Sequence, residues 1–302
     1  MRLAIILALL AGPVMAEDRV CTGIWNAVTG SGLPITGLVV GVEDGWCVIR
    51  DVVLNLPGVY VPDWHADRLR LRGSALPWVL GDAVVPEALE AEVSGLRLVV
   101  QTDMPQMDYL FAAQSRAAPI QVALAVRWDK AAKVLHLDRL DIDFPGNNAV
   151  TLTAVAGNVD LSSIGAAQMA LTGFSITNAR LSVTTHGLFE AYALMALGSA
   201  LLPDDGDMDA AVANLKVEAA VAISALPGQS FSDKTKGAMW ALVQEMPNPS
   251  GMLTVDLRAD PGFGPARLGG FAVTGMPATM DQAAPLFEGV VVDVVWTHEE
   301  DR

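Results

Sequence analysis

Serine, histidine, cysteine and carboxylate residues are where chemistry would start, and in this 302-residue chain most of them stand at the wrong spacing. No serine occupies G-x-S-x-G, because Gly173-Phe174-Ser175-Ile176-Thr177 fails at its last position. There is no H-E-x-x-H pair to hold zinc and no glycine-rich loop to cradle phosphate. His65, His136, His186 and His298 lie far apart, so a metal or triad enzyme would need a fold that gathers dispersed residues. Asp205, Asp207 and Asp209 have the alternate spacing of a calcium loop. That loop then fails, with Ala210 where glycine is needed and Lys216 where a bidentate glutamate is needed. The same carboxylates would cap a helix N-terminus and complement its dipole. Asp138, Asp141 and Asp143, with Asp51 in a similar strand, are candidate paired carboxylates, and a solvated sheet face accounts for them as well. Arg68, Arg70 and Arg72 share one face of a strand, as an anion contact or as one side of a salt-bridge ladder. No residue is assigned a catalytic or cofactor-binding role, and no cofactor is expected.

Two cysteines, Cys21 and Cys47, are too far apart for a C-x-x-C redox motif and are expected to form a structural disulfide. The residues before Cys21 are Asp18-Arg19-Val20, not a small-residue lipobox, which speaks against a lipid anchor. The compartment is indicated independently. Met1-Arg2 gives a positive start, Leu3 to Ala11 is apolar, Gly12-Pro13 breaks the run, and Val14-Met15-Ala16 suits a signal peptidase. Residues 1–16 therefore read as a secretory signal peptide, and the mature protein as extracytoplasmic, in a bacterial cell periplasmic.

A net charge of −15 repels nucleic acid and anionic bilayers alike. Composition is 52% hydrophobic with a mean hydropathy of +0.39, enough for a sizeable core. The longest apolar stretch of the mature chain, Leu188 to Leu202, is interrupted by Glu190 and is shorter than the ~20 residues a spanning helix needs. No transmembrane segment is expected there, and the long Ala-rich blocks do not suit an outer-membrane barrel.

Residues 17–115 read as a β-rich, irregular N-terminal region. From 116 the pattern sharpens, and the whole of 17–302 is compatible with one continuous domain. Ile120 to Trp128 alternates strictly, with Val122, Leu124, Val126 and Trp128 on one face. Val134 to Phe144, Val150 to Leu161 and Met169 to Thr185 continue the series as strands. A helical insertion over about 187–246 follows, with Asp205 or Asp207 capping a helix from Met208 and Ser230 or Ser232 capping another that ends near Glu245. Strands return at Met252–Arg258, Arg267–Val273 and Gly289–Thr297, with a short helix near Met280–Phe287. Strands and helices in blocks predict an α+β fold: an antiparallel β-meander with the helical insertion packed on one face or end. A weak echo pairs Val48–Gly58 with His136–Gly146, each an amphipathic strand closed by Pro-Gly. Arg258–Gly262 is a poorer third copy.

Leu135 to Ser162, with its rhythm LHLDRLDIDFPG followed by VTLTAVAGNVDLS, resembles the repeated strands of AsmA-like envelope proteins. That resemblance implies amphipathic strands forming a lipid-handling groove, and it carries over no functional residue. In the apolar helical block, Phe189, Tyr192, Met195 and Leu197 are the candidate lining of an apolar groove. The expectation is a non-enzymatic periplasmic protein that binds an apolar, lipid-like ligand or an envelope component. The alternatives are an envelope protein-interaction module and an enzyme with a site built from dispersed residues.

Overall fold

The computed structural model describes residues 12–57, 62–82, 84–100, 102, 104–203, 205–267, 269 and 280–299. Ten strands hydrogen-bond in chain order into one antiparallel, open meander sheet. They are β1 (Ile35–Glu43), β2 (Trp46–Leu54), β3 (Asp63–Arg72), β4 (Ala88–Val99), β5 (Ile120–Asp129), β6 (Val134–Phe144), β7 (Asn148–Gly157), β8 (Ser175–His186), β9 (Ser250–Phe263) and β10 (Val290–His298). The chain divides into two compact units. The first holds the described residues up to Lys130 with Asp138–Pro145 and Leu161–Ile164. The second holds Ala131–Leu137, Gly146–Asp160 and the remainder from Gly165.

In the first unit the core forms where helix α1 (Gly12–Gly30) lies on β1 and β2. Cys21, Ile24, Trp25 and Val28 recur at the i, i+3, i+4, i+7 spacing of one helix face. Cys21 and Trp25 pack with Cys47, Ile49, Val52 and Ala66 in the buried cluster. Cys21 and Cys47 are joined by a disulfide with Cα atoms 5.2 Å apart. The approach is close enough to require glycine at Gly37, where a Cβ would lie 2.8 Å from Trp25 and 2.9 Å from Ile49. This helix replaces the irregular reading of residues 17–30. Its apolar stripe is short, and its order comes from tertiary packing rather than propensity. The unit also holds α2 (Ala75–Val79) and α3 (Pro105–Ala117).

In the second unit α4 (Ile164–Gly173) precedes β8, so the run Met169 to Thr185 is helix to Gly173 and strand only from Ser175. The Ala-rich stretch Ala166–Leu171 explains the helix through its high propensity. Strand β7 ends at Gly157, short of Leu161. The expected single helix over Leu188–Leu202 is two, α5 (Leu188–Tyr192) and α6 (Leu194–Leu201), separated at Ala193. Helix α7 (Met208–Ala225) is capped by Asp207, whose carboxylate accepts from the Ala210 N–H at 3.1 Å. Helix α8 (Asp233–Glu245) is capped by Ser232, whose hydroxyl accepts from the Thr235 N–H at 3.2 Å. A short helix α9 (Met280–Ala283) runs into a 3-10 turn at Ala284–Phe287. Arg258–Gly262 lies inside β9 and does not close a strand, so the third Pro-Gly echo has no structural counterpart. The strand expected over Arg267–Val273 falls mostly outside the described residues, as does most of the signal segment 1–16.

Among the described residues no helix is long and apolar enough to cross a membrane. The disulfide belongs to the chemistry of an oxidising, non-cytoplasmic compartment.

Two substitutions test the α1 anchor. Cys47→Ala removes the cross-link over a sequence separation of 26. It is expected to lower unfolding free energy by roughly 3 kcal/mol. Trp25→Ala leaves a cavity under the helix and is expected to cost roughly 3–5 kcal/mol. Urea unfolding followed by circular dichroism measures both, and a loss below about 1 kcal/mol in both would mean that α1 does not anchor the sheet.

Candidate functional site

Successive residues of a strand point to opposite faces, so register decides which side chains meet. In the first unit Cys47, Leu71, Ala91 and Leu124 stand opposite one another on β2 to β5, and Ile49, Leu69, Val93 and Val122 form the next row. In the second unit the rows across β7 to β10 are Val150–Val183–Leu253–Trp296, Leu152–Leu181–Val255–Val294 and Ala154–Ala179–Leu257–Val292. Each unit therefore carries one continuous apolar face.

Helical cover of these faces is uneven. Under α1, Cys47 and Ile49 are 4% and 0% exposed. In the same rows Leu69, Val93, Val122 and Leu124 are only half-buried. The second unit repeats the gradient. Val294 is 7% exposed, whereas Val255, Leu181 and Leu152 in its row are half-buried. Its covered end is held by α8. The Thr235 hydroxyl donates to the Val292 carbonyl and accepts from the Val294 N–H, both at 3.3 Å, and Trp296 Nε1 donates to Glu245 at 2.7 Å. Val122 and Leu124 on β5, and Leu152, Leu181 and Val255 on β7 to β9, thus stand in partial contact with solvent, where water contact costs roughly 25 cal/mol per Å² of apolar surface.

The opposite face is polar and internally paired. Arg68 pairs with Glu43, Arg70 with Glu92 at 3.0 Å, and Arg72 with Glu90 at 2.6 Å. The Arg70 and Arg72 guanidinium carbons sit 4.4 and 4.2 Å from the Trp46 ring centroid, a double cation–π stack. The arginine stripe is therefore one side of an ion-pair ladder. Asp138 is held by Arg127 at 2.8 Å and Asp141 lies 3.6 Å from Arg139. Asp143 borders a cavity with Arg68 and Arg70, and Asp51 is exposed at a positive φ of 51°. In the second unit Arg180 pairs with Asp256 at 3.5 Å and Arg258 with Asp293 at 3.4 Å.

Of the residues proposed to line a groove, Phe189 is half-buried, while Tyr192, Met195 and Leu197 are 41%, 84% and 44% exposed. Burial raises the Tyr192 pKa above its ordinary value. Asp207 serves as a helix cap, Asp209 sits in the first turn of the same helix, and Asp205 precedes them. Among the described residues no group of three histidine, cysteine or carboxylate side chains is placed to hold a metal.

The fold does gather one set of dispersed polar residues, which sequence spacing could not show. The ends of β8 and β10 and the start of β9 bring His186, Glu299 and Ser250 together. Ser250 Oγ donates to Glu299 at 2.6 Å, and His186 Nδ1 lies 3.3 Å from Glu299 and 3.4 Å from Ser250 Oγ. The same imidazole nitrogen faces both partners. A triad requires the carboxylate on one ring nitrogen and the hydroxyl on the other, so this cluster cannot relay a proton as a triad does.

No protein-family model matches the chain, and no curated protein matches it in sequence.

His65, on β3 between Val53 and Arg97, gives a pH test of the ladder region. Its Nε2 is buried without a hydrogen-bond partner among the described residues. Burial first, and the neighbouring Arg97 charge second, hold its pKa below the ordinary value of 6.5, against the opposing Asp63 carboxylate. The folded state thus resists a proton that the unfolded chain accepts. Stability is present above pH ~6.5 and is lost as pH falls through the lowered folded value. Urea midpoints at pH 7.5 and 5.5 are expected to differ less for His65→Gln than for the wild type, and an equal difference would show that His65 is not the responsible group.

Proposed function

We propose that the protein works outside the cytoplasm, in the periplasm, as a non-enzymatic binding protein that holds an apolar, lipid-like ligand against an apolar sheet face of one of its units. The observation that carries this reading is the partial cover of the aligned rows: Val122 in the first unit, and Leu152, Leu181 and Val255 in the second, are half-buried, whereas Ile49 and Val294 at the rows' ends are buried. Contiguous apolar surface left uncovered in a soluble setting marks a ligand or partner site. An acyl chain supplies the shape required, because it is long, flexible and free of groups needing hydrogen bonds. The charged ladder on the other face keeps that side in water.

A second reading is favoured by particular residues. Met169, Leu171, Met195 and Val221 are 74%, 70%, 84% and 63% exposed on the helices of the second unit, which suits docking on an envelope protein.

Native mass spectrometry of protein purified from periplasm, followed by organic extraction, decides between them. A co-purifying lipid at defined stoichiometry is the expected result. Leu181→Asp and Val122→Asp should each abolish it, while Thr153→Asp, exposed on the polar face, should keep it. Wild-type protein that is free of lipid, and that extracts none from phospholipid vesicles, would overturn the lipid reading and leave the docking surface.

A further inference from the structure

The first unit contains a cavity of about 400 Å³ that is separate in character from the apolar rows. Trp128 and Pro86, both buried, line it together with Trp78 and Leu161. Trp128 shares its face of β5 with Val122, Leu124 and Val126, so the cavity lies at the end of that apolar row. Its rim is different. Asp82 and Lys130, both exposed, line the same space. Neither makes an ion pair with the other or with any other described residue. In a chain with 34 acidic and 19 basic residues, an ammonium at a cavity mouth with no carboxylate partner among the described residues is a notable feature of the charge pattern.

We propose that this cavity is a binding site for a small zwitterion, with the ligand's cationic end between Asp82 and the indoles and its anionic end at Lys130. Indole faces attract ammonium groups through their quadrupole, and a carboxylate at the rim adds direct charge pairing. Lys130 supplies the opposite pole. The volume lies in the range of small-ligand pockets, which pair an apolar lining with a few converging polar groups. The shared chemistry is an ammonium and an anion on a short spacer. It occurs in the phosphoethanolamine headgroup of a lipid and in a free dipeptide. The site adjoins the end of the apolar row, but its charged rim would bind a zwitterion whether or not lipid occupies that row.

The test is calorimetric titration of the full, disulfide-bonded protein with glycerophosphoethanolamine and, separately, with Ala-Ala dipeptide. Ethanolamine and glycerol 3-phosphate serve as half-ligands. At least one zwitterion is expected to bind with a Kd below about 1 mM, and each half-ligand at least about tenfold more weakly. Asp82→Asn and Lys130→Gln should each weaken binding about fivefold or more, and both exposed positions should leave the circular dichroism unchanged. Binding of glycerophosphoethanolamine alone assigns the headgroup as the source, and binding of dipeptide alone assigns the peptide. Three results would overturn the site: neither zwitterion binding at about 10 mM, a half-ligand binding as tightly as the zwitterion, or unchanged binding in either variant.

Discussion

Register between neighbouring strands is the constraint on which everything else in this molecule rests. Once Ile49 stands opposite Leu69, and Leu69 opposite Val93, the two-residue period assigns the neighbouring side chains to one face or the other, until the left-handed residues Asp51 and Gly95 shift it and bring Val52 and Ala66 into the same buried cluster as Ile49. Apolar residues fall into rows on one face, and arginines meet glutamates on the other. A slip of one residue would bring Arg70 to the side where Trp25 packs and would leave Glu92 without its partner. The ion pairs are partly exposed and individually weak, but they act together to penalise wrong registers. The buried cluster of Cys21, Trp25, Cys47 and Ile49 fixes the first unit's rows at one end. In the second unit, Thr235 and Glu245 fix the rows at β10.

Where the structure departs from its sequence pattern, the reason is tertiary. Strict alternation in Ile120–Trp128 and Val134–Phe144 made the meander legible, because a half-buried antiparallel strand has no other way to pattern itself. Local hydrogen-bonding chemistry made the caps at Asp207 and Ser232 legible. Helix α1 was harder to see. Its stripe of Cys21, Ile24, Trp25 and Val28 is helical in spacing, but it spans two turns among β-branched residues and glycines. Only docking on β1 and β2 makes it stable. Around Met169 an alternating reading competed with Ala-rich helix propensity, and propensity won as far as Gly173.

The candidate site was legible in kind and not in place. Apolar alternation in the strands announced a large apolar face, whereas nothing in a single sequence states which part of that face a helix will cover. Burial depends on contacts between residues distant in the chain. The Leu188–Leu202 block illustrates the point: apolar on nearly every side, it suggested a roof, yet Met195 and Leu197 face solvent. The meeting of Trp78, Asp82, Trp128 and Lys130 likewise depends on strand and loop positions that no spacing rule connects.

The meander has a consequence for how such a protein can change in evolution. Every strand pairs with its neighbour in sequence, so no connection needs to cross the sheet. A duplicated or deleted hairpin would lengthen or shorten the sheet without rethreading the chain. With neighbouring strands ~4.8 Å apart, each hairpin gained would widen an apolar face by about 10 Å. The width of that face is therefore a modular quantity. Lineages could adjust it in discrete steps, while the chemistry of each strand stayed the same.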